Sequence, residues 1–173
     1  QAIKLYKKIG RNDSNYSLAL VELANSYFAN EQEKLAIEVC KKGLALDDNP
    51  YRYNFYNTIG NCYDNLNQNE DAVKAYNDGI KLYPDKHLLF YNKGYTYKKA
   101  NKYDSAIVAL KRAIEINPYH PSCHLLLGKI CVDQGRLVPA LLSFEFFLLL
   151  EPSSKRANDI IIQMQQLVKD EFV

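Results

Sequence analysis

The chain has 173 residues, and its 22 basic and 20 acidic residues give a formal net charge of +2. This near balance argues against nucleic acid as the main partner, because binding to phosphates requires a clear basic excess. The longest uninterrupted apolar run, residues 146–150, is far shorter than the ~18 residues that a membrane helix needs. We therefore predict no membrane insertion, and we interpret this run as a buried helix end.

Amphipathic helical patterns follow one another along the chain. Residues 1–16 begin with Gln instead of Met and show no signal peptide, so we expect a fragment or a processed form. Four paired patterns follow, and in the first unit they cover residues 17–29 and 33–46. The units are residues 17–50, 53–86, 87–120 and 121–154, and residues 155–173 form a last helical pattern.

The four units agree in the phase of several positions. A small residue recurs at steps of 36, 34 and 34 residues, at Ala36, Ala72, Ala106 and Ala140. A second small residue precedes each alanine by 12 positions, at Ala24, Gly60, Gly94 and Gly128. Three residues later come Tyr27, Tyr63, Tyr97 and Cys131, and the last three units end at Pro84, Pro118 and Pro152.

This pattern resembles the tetratricopeptide repeat, whose 34 residues carry aromatic, Leu-Gly, Tyr, Ala, Phe and Pro positions in order. The resemblance covers residues 17–154. It implies an all-α fold, namely an α-solenoid of stacked antiparallel helix pairs that form a right-handed superhelix. Because Ala2 lies 34 residues before Ala36, residues 1–16 are expected to be the second helix of a truncated repeat, with further chain upstream.

Elementary packing supports the same architecture. A Gly or Ala twelve residues before an Ala lets two antiparallel helices approach closely, and neighbouring pairs must stack to bury their apolar faces. Asn67, Asn101 and Gly135 lie between paired helices, where a left-handed residue closes the first helix. Two extra residues precede the second unit. Proline suits the first turn of a helix, so we predict that the first helix of this unit includes Pro50 and begins about half a turn earlier than in the other units.

The fourth unit differs at the position that meets the next helix. Phe147 stands where the other units have Gly43, Gly79 and Ala113. A standard fifth repeat would clash with that ring, so we predict that residues 155–173 form a capping helix. Its predicted apolar face consists of Ala157, Ile160, Ile161, Met164, Leu167, Val168 and Phe172.

Residues capable of chemistry are sparse. Cys40, Cys62, Cys123 and Cys131 show no CxxC pairing or zinc spacing, so they are predicted to be reduced packing residues. This favours the cytoplasm and leaves a periplasmic or secreted location open. His120, Cys123 and His124 could meet near Pro121, but they lack a nearby carboxylate, and we favour His124 as a packing residue. No nucleophile, Walker or dinucleotide motif is present, so we predict neither an enzyme, a cofactor nor a metal.

The resemblance implies a protein-interaction scaffold whose concave surface is lined by the first helix of each unit. Exposed Tyr and Asn side chains there would offer amphipathic contact area and amide groups for a peptide backbone. The alternative is that these positions are simply polar surface. The predicted peptide-binding residues are Asn25, Asn57, Asn61, Tyr91, Asn92, Tyr95, Lys98 and Lys129, and Asp64 is expected on the same surface.

One branch of the family, the chaperone cochaperones, clamps a peptide's terminal carboxylate with a Lys/Asn/Asn/Lys/Arg set. On units two to four, Asn61 and Asn92 match the two Asn positions, while the three cationic positions hold Asn57, Ser122 and Leu126. On units one to three, only Asn25 matches. A double carboxylate needs the missing charges, so the clamp is predicted to be absent.

Two function classes remain. The first is a scaffold that binds an extended peptide or a partner helix in the concave groove. The second is a structural or self-assembling solenoid segment of a larger protein. The expected partners are therefore a protein or peptide, or another copy of the chain.

Overall fold

The computed structural model describes residues 2–47 and 49–171, and all its regular elements within these ranges are α-helices. The all-α solenoid predicted from the repeat is confirmed. The helices are α1 (Ala2–Tyr6), α2 (Tyr16–Ala29), α3 (Glu33–Leu44), α4 (Arg52–Asn65), α5 (Asn69–Leu82), α6 (His87–Lys99), α7 (Tyr103–Ile116), α8 (Pro121–Asp133), α9 (Leu137–Leu150) and α10 (Lys155–Glu171).

The same tight turn joins the two helices of every unit. One residue of each turn has φ between 55° and 66°, and the next amide bonds back to the first helix, as from Gln68 N to the Tyr63 carbonyl at 2.9 Å. This Schellman-type closure satisfies helix-end carbonyls. The left-handed conformation predicted at Asn67, Asn101 and Gly135 is confirmed, and Glu31 adopts it in the first unit.

Small residues allow the paired helices to cross closely. Ala106 is fully buried, and a Cβ atom placed on Gly94 would lie 3.3 Å from the Ala106 carbonyl oxygen. At the equivalent crossing in the second unit, a Cβ on Gly60 would lie 2.2 Å from the Tyr76 ring. The repeated Gly and Ala positions are therefore required by the helix crossing.

The stacking of the units creates two unlike faces. We call α2, α4, α6 and α8 the inner helices, because each contacts the next inner helix along the solenoid. We call α3, α5, α7 and α9 the outer helices, and in the described part of the chain no outer helix contacts the next. The inner face is therefore concave, while grooves separate the helices of the outer face.

A buried asparagine organises the longer link after the first unit. Asn49 donates to the Gly43 carbonyl at 2.6 Å, and its side-chain oxygen accepts bonds from Ser17 Oγ and from the Tyr51 amide. The next helix begins at Arg52, so Pro50 lies in the preceding turn. The prediction that Pro50 stands in the first helical turn was wrong because Asn49 fixes the chain there.

The two ends differ from the central units. Helix α1 covers only Ala2–Tyr6, and turns and bends occupy most of residues 7–15, so the assignment of residues 1–16 to an earlier repeat stays a prediction. At the other end, fully buried Phe147 packs with Ala157 and Ile160 of α10. Ile161 and Val168, predicted on the apolar face, are exposed, and Phe172 lies outside the described residues.

The interpretation of residues 146–150 as a buried helix end was wrong in part. Phe147 is buried, but Phe146 is 55% exposed and Leu149 is 77% exposed. Helix α9 has apolar residues on every side and one charged residue, Glu145, so apolar side chains face solvent on one side while others fill the core on the other. Within the described ranges, no helix is both long enough and apolar enough to span a bilayer.

Candidate functional site

Hydrogen bonds between repeats run along the inner helices. Thr58 of α4 donates to Asn25 of α2 at 3.3 Å. Asn92 of α6 donates to Asn57 of α4 at 2.8 Å. These bonds join residues 33 and 35 positions apart. Some of the amide groups that were expected to bind a ligand therefore hold adjacent units together instead.

The strongest of these links is buried. Thr96 donates to the Asp64 carboxylate at 2.7 Å, and Lys99 Nζ binds the same carboxylate at 2.9 Å. Lys99 also donates to the Asp64 main-chain carbonyl at 2.8 Å. Charge-assisted bonds of this kind compensate the desolvation of a buried carboxylate. Asp64, expected on the groove surface, instead fastens α4 to α6.

An open pocket of about 350 Å³ lies on the concave side between α6 and α8, and we call it the inner pocket. Leu125 and Leu126 form an apolar part of its wall, and tyrosines and cations supply most of the rest. Tyr91, Tyr95, Lys98 and Lys129, half of the predicted site residues, line it. The other lining residues are Lys99, Asn101, Ser122 and Arg156.

The four predicted asparagines lie outside the inner pocket. Asn25 is exposed on α2, while Asn57 and Asn92 are bonded to each other. Asn61 accepts a hydrogen bond from the Tyr76 hydroxyl at 2.8 Å. Because Tyr76 is almost fully buried, Asn61 supplies a hydrogen-bond acceptor to a hydroxyl of the core.

Carboxylates partner most cations of the inner pocket. Lys98 pairs with Asp133 at 3.1 Å, Lys99 with Asp64, and Arg156 with Glu151. Within residues 2–47 and 49–171, Lys129 is the pocket cation without a carboxylate within salt-bridge distance. Its exposed ammonium is therefore the charge most available to a ligand.

Arg156 reaches the pocket from α10, outside the repeats. Its guanidinium donates to Ser122 Oγ at 3.1 Å and lies over the Phe147 ring, 5.4 Å from the centroid. Its hydrogen bond to Glu151 raises the pKa of Arg156, which stays charged. Sequence analysis missed this residue because it follows the last repeat. Phe147, which stands where earlier units have a small residue, was the sign in the sequence that the next helix packs differently.

The histidines take part in packing. The His87 and His120 rings meet edge to face with centroids 5.0 Å apart, and Tyr91 lies 5.2 Å from His120. Burial, followed by the nearby His87, Arg156 and His124, lowers the pKa of His120. His124 donates to the Pro118 carbonyl at 2.8 Å and stacks on Phe146. No metal-type cluster of three His, Cys, Asp or Glu residues occurs in the described part of the chain.

All four cysteines are free and buried, as predicted. Burial raises the pKa of the Cys62 and Cys123 thiols to about 12. It also raises the pKa of Cys40 and Cys131. A protonated, enclosed thiol is a poor nucleophile and a poor metal ligand.

The fold and this pocket define the class of protein: a helical-repeat solenoid with a concave inner surface. Residues 53–86 and 87–120 each match the tetratricopeptide repeat. The chain is 24% identical over 120 residues to the Protein STIP1 homolog of Dictyostelium discoideum, covering 69% of this chain but only 21% of that relative. It therefore spans about a fifth of that protein.

Solved structures show the same architecture. MamA is 25% identical with a TM-score of 0.72, covering 87% of this chain and 86% of MamA. TTC0263, a thermophilic protein of Thermus thermophilus, is 20% identical with a TM-score of 0.77, covering 96% of this chain and 88% of TTC0263. Residues 53–120 of this chain are therefore two tetratricopeptide repeats. Such solenoids are generally non-catalytic scaffolds for protein–protein interaction.

Proposed function

We propose that this chain is a non-enzymatic binding module that holds an extended peptide of a partner protein in the inner pocket. The observation that carries the proposal is the convergence of Tyr91, Tyr95, Lys98 and Lys129 on one concave site. Tyrosines offer rigid amphipathic area, and an open cleft between two inner helices admits an extended chain.

The lining favours a peptide with an acidic side chain beside an aromatic or aliphatic one. Lys129 would bind the carboxylate, while Leu125 and the exposed Tyr95 ring would contact the apolar side chain. Arg156 places a second cation beside Ser122, although Glu151 neutralises much of its charge. Because the clamp residues are missing, the ligand need not end in a free carboxylate.

The peptide backbone would bind at the neighbouring asparagine pair. The Asn92–Asn57 bond uses one N–H of Asn92 and the carbonyl oxygen of Asn57. Asn92 retains its carbonyl oxygen and Asn57 its two N–H groups, which match the donor and acceptor of a peptide group. The side-chain oxygen of Asn61 already accepts the Tyr76 hydroxyl, so Asn61 is not included in this proposed ligand site.

The test starts from a random peptide library displayed on phage and selected against the 173-residue chain. We expect selected sequences to combine Asp or Glu with aromatic or aliphatic residues. A synthetic version of the best peptide is then titrated by fluorescence polarisation against Tyr95→Ala with Lys129→Ala. This double variant should bind at least about tenfold more weakly, a loss of about 1.4 kcal/mol.

The matched control changes the same two residue types elsewhere. Tyr119 and Lys102 are both exposed and lie outside the inner pocket, so Tyr119→Ala with Lys102→Ala should bind normally. Equal weakening by both double variants, or by neither, would place the peptide away from the inner pocket and contradict the proposal.

A further inference from the structure

The outer face carries a second surface that the proposed function does not use. A groove of about 780 Å³ separates α7 from α9, and we call it the outer groove. It exists because successive outer helices do not touch. Its walls include Ile114, Leu127, Leu142, Phe146, Leu149 and Leu150.

The other units show that this apolar surface is not a general property of the repeat. Helix α9 exposes one charged residue, Glu145, and four apolar residues, Val138, Leu142, Phe146 and Leu149. At the positions of these four apolar residues, α7 has Asp104, Val108, Arg112 and Glu115 one repeat earlier. One repeat before that, α5 has Glu70, Lys74, Asp78 and Lys81. A face that is charged on α5 and mostly apolar on α9 is unlike an ordinary solvated surface.

We infer that the outer groove and the exposed side of α9 form a two-fold interface with a second copy of this chain. Leu142 and Leu149 of α9 line the outer groove and are also exposed. When two copies meet about a two-fold axis, the α9 side chains of each copy can therefore enter the groove of the other, so the same patch serves both copies, as a two-fold interface requires.

The charges at the rim favour a copy over a strongly charged partner. Lys111 and Glu115 lie one helical turn apart on the α7 wall and carry opposite charges. When two copies meet antiparallel, the lysine of one rim faces the glutamate of the other. The exposed ion pair between Arg112 and Glu115 at 2.7 Å would cost little free energy to break when two copies meet, because such pairs contribute little to stability.

The size of the surface sets the expected strength. Helix α9 has 14 residues, so it is about 21 Å long. A helix with its side chains is about 10 Å wide, so the exposed side of α9 covers on the order of 200 Å² per copy, well below the roughly 800 Å² of a standard interface. The dimer should therefore be weak, with a Kd in the micromolar range.

Sedimentation equilibrium of the full chain from about 1 µM to about 200 µM tests this inference. The mass should rise with concentration and level off at twice the monomer mass, because a two-fold interface is closed. Leu142→Lys should raise the Kd at least about tenfold. Leu149→Lys is a second variant at a more exposed position, in case Leu142→Lys lowers the melting temperature.

Leu82→Lys is the matched control, because Leu82 on α5 is 55% exposed, close to the 53% of Leu142, and lies outside the outer groove. It should dimerise like the unchanged chain. A chain that stays monomeric throughout the range would overturn the inference. So would a dimer that survives both α9 substitutions, or one that Leu82→Lys disrupts equally. Peptide binding at the inner pocket is measured separately, so either proposal can fail alone.

Discussion

Asn61 shows how a side chain on an inner helix can belong to the core. Sequence periodicity places it on the concave face, and the structure confirms that it is only partly buried. Its oxygen nevertheless accepts the hydroxyl hydrogen of Tyr76, whose ring packs against Gly60. The asparagine therefore contributes to folding through a partner 15 residues away.

We expect Asn61→Ala to lower the free energy of unfolding by about 1–3 kcal/mol, because the buried Tyr76 hydroxyl loses its acceptor. Urea unfolding followed by circular dichroism measures the loss. In the Tyr76→Phe background the same Asn61→Ala change should have a clearly smaller effect, since no hydroxyl remains to be satisfied. Equal effects in both backgrounds would show that the bond contributes nothing.

Ala106 tests the helix crossing of the third unit. Ala106→Leu should destabilise the chain by about 1–3 kcal/mol, because overpacking forces α6 and α7 apart at Gly94. A domain of this size should then melt about 2–4 °C lower for each kcal/mol lost. Val108→Leu on the exposed side of α7 is the control and should leave the melting temperature unchanged. A tolerated Ala106→Leu would refute the close crossing.

The pH dependence of stability should reveal the His87–His120 contact. Burial is the main cause that lowers the pKa of both residues, so the folded chain binds protons less readily than the unfolded chain. The contribution of neutral histidine is complete above the ordinary value of 6.5 and is lost as the pH falls below it. Arg156, His124 and Tyr91 surround His120 and supply no negative charge near neutral pH.

Thermal melts between about pH 7.5 and about pH 5.5 should therefore show a falling Tm. His120→Gln should flatten this dependence, because glutamine does not titrate. His124→Gln serves as a comparison at another histidine of the same helix region. A Tm that rises on acidification would contradict the assigned direction of the pKa shift.

The sequence predicts a residue's conformation well when only its near neighbours in the chain determine that conformation. A left-handed turn position depends on a few neighbouring residues, so Asn67, Asn101 and Gly135 could be identified from sequence. The partners of Asn61, Asn92 and Asp64 lie 15 to 35 positions away, and the choice between a free and a bonded amide depends on rotamers that periodicity does not specify. This is why the predicted tyrosines and lysines reach the inner pocket while the asparagines are engaged elsewhere.

At the scale of elements, α10, the predicted capping helix, packs against Phe147 of α9. Ala157 is fully buried with Phe147, so a small residue of α10 lies where the phenyl ring fills the usual crossing space. The Arg156 guanidinium extends over the same ring. The capping role predicted for residues 155–173 rests on these contacts with Phe147.

Deleting residues 155–173 should expose Phe147 and the adjoining part of α9, and we expect aggregation or a lower Tm, because capping elements keep repeat arrays soluble. Light scattering and thermal melts measure both outcomes. Ala157→Glu is a milder version that places a charge in the α9–α10 contact and should also lower the Tm. Asn158→Glu, at an exposed neighbouring position, should not. A deletion variant as stable and monomeric as the full chain would show that α10 is dispensable.

The misinterpreted run 146–150 has an instructive cause. Helical periodicity assigns one buried face when apolar and polar residues separate, but α9 has apolar residues on every side and Glu145 as its one charge. Composition alone therefore suggests burial for all of it. Comparison with Arg112 and Glu115 at the matching positions of α7 would have identified Phe146 and Leu149 as outward-facing.

On the scale of the whole molecule, the cysteines are internal reporters of unfolding. They lie in three of the four units and are buried, with raised pKa values. We expect all four thiols to resist iodoacetamide near neutral pH in the folded chain and to react together in concentrated urea. Mass spectrometry counts the modified thiols. Rapid labelling of any cysteine without denaturant would show that its unit opens or that the thiol is accessible.

The order of the helices could be predicted because each unit repeats the same pattern of small and apolar residues, which packs two helices against each other in the same way. The inner pocket could be predicted only in part, since it also depends on the curvature of the stack and on a helix outside the repeats. Phase identifies which positions face inward. The shape between two inner helices follows from contacts such as Asp64 with Thr96 and Lys99, which differ from unit to unit.

The unequal contacts of the two faces have a mechanical consequence. Side-chain hydrogen bonds join successive inner helices, whereas α7 and α9 do not touch. Neighbouring units should therefore rotate about the line of inner helices, and the outer helices should move the most. Anything that wedges into the outer groove would rotate α9 relative to α7 and change the angle between α6 and α8, which border the inner pocket. Occupation of one surface should then alter affinity at the other, and thermodynamic linkage makes that influence mutual.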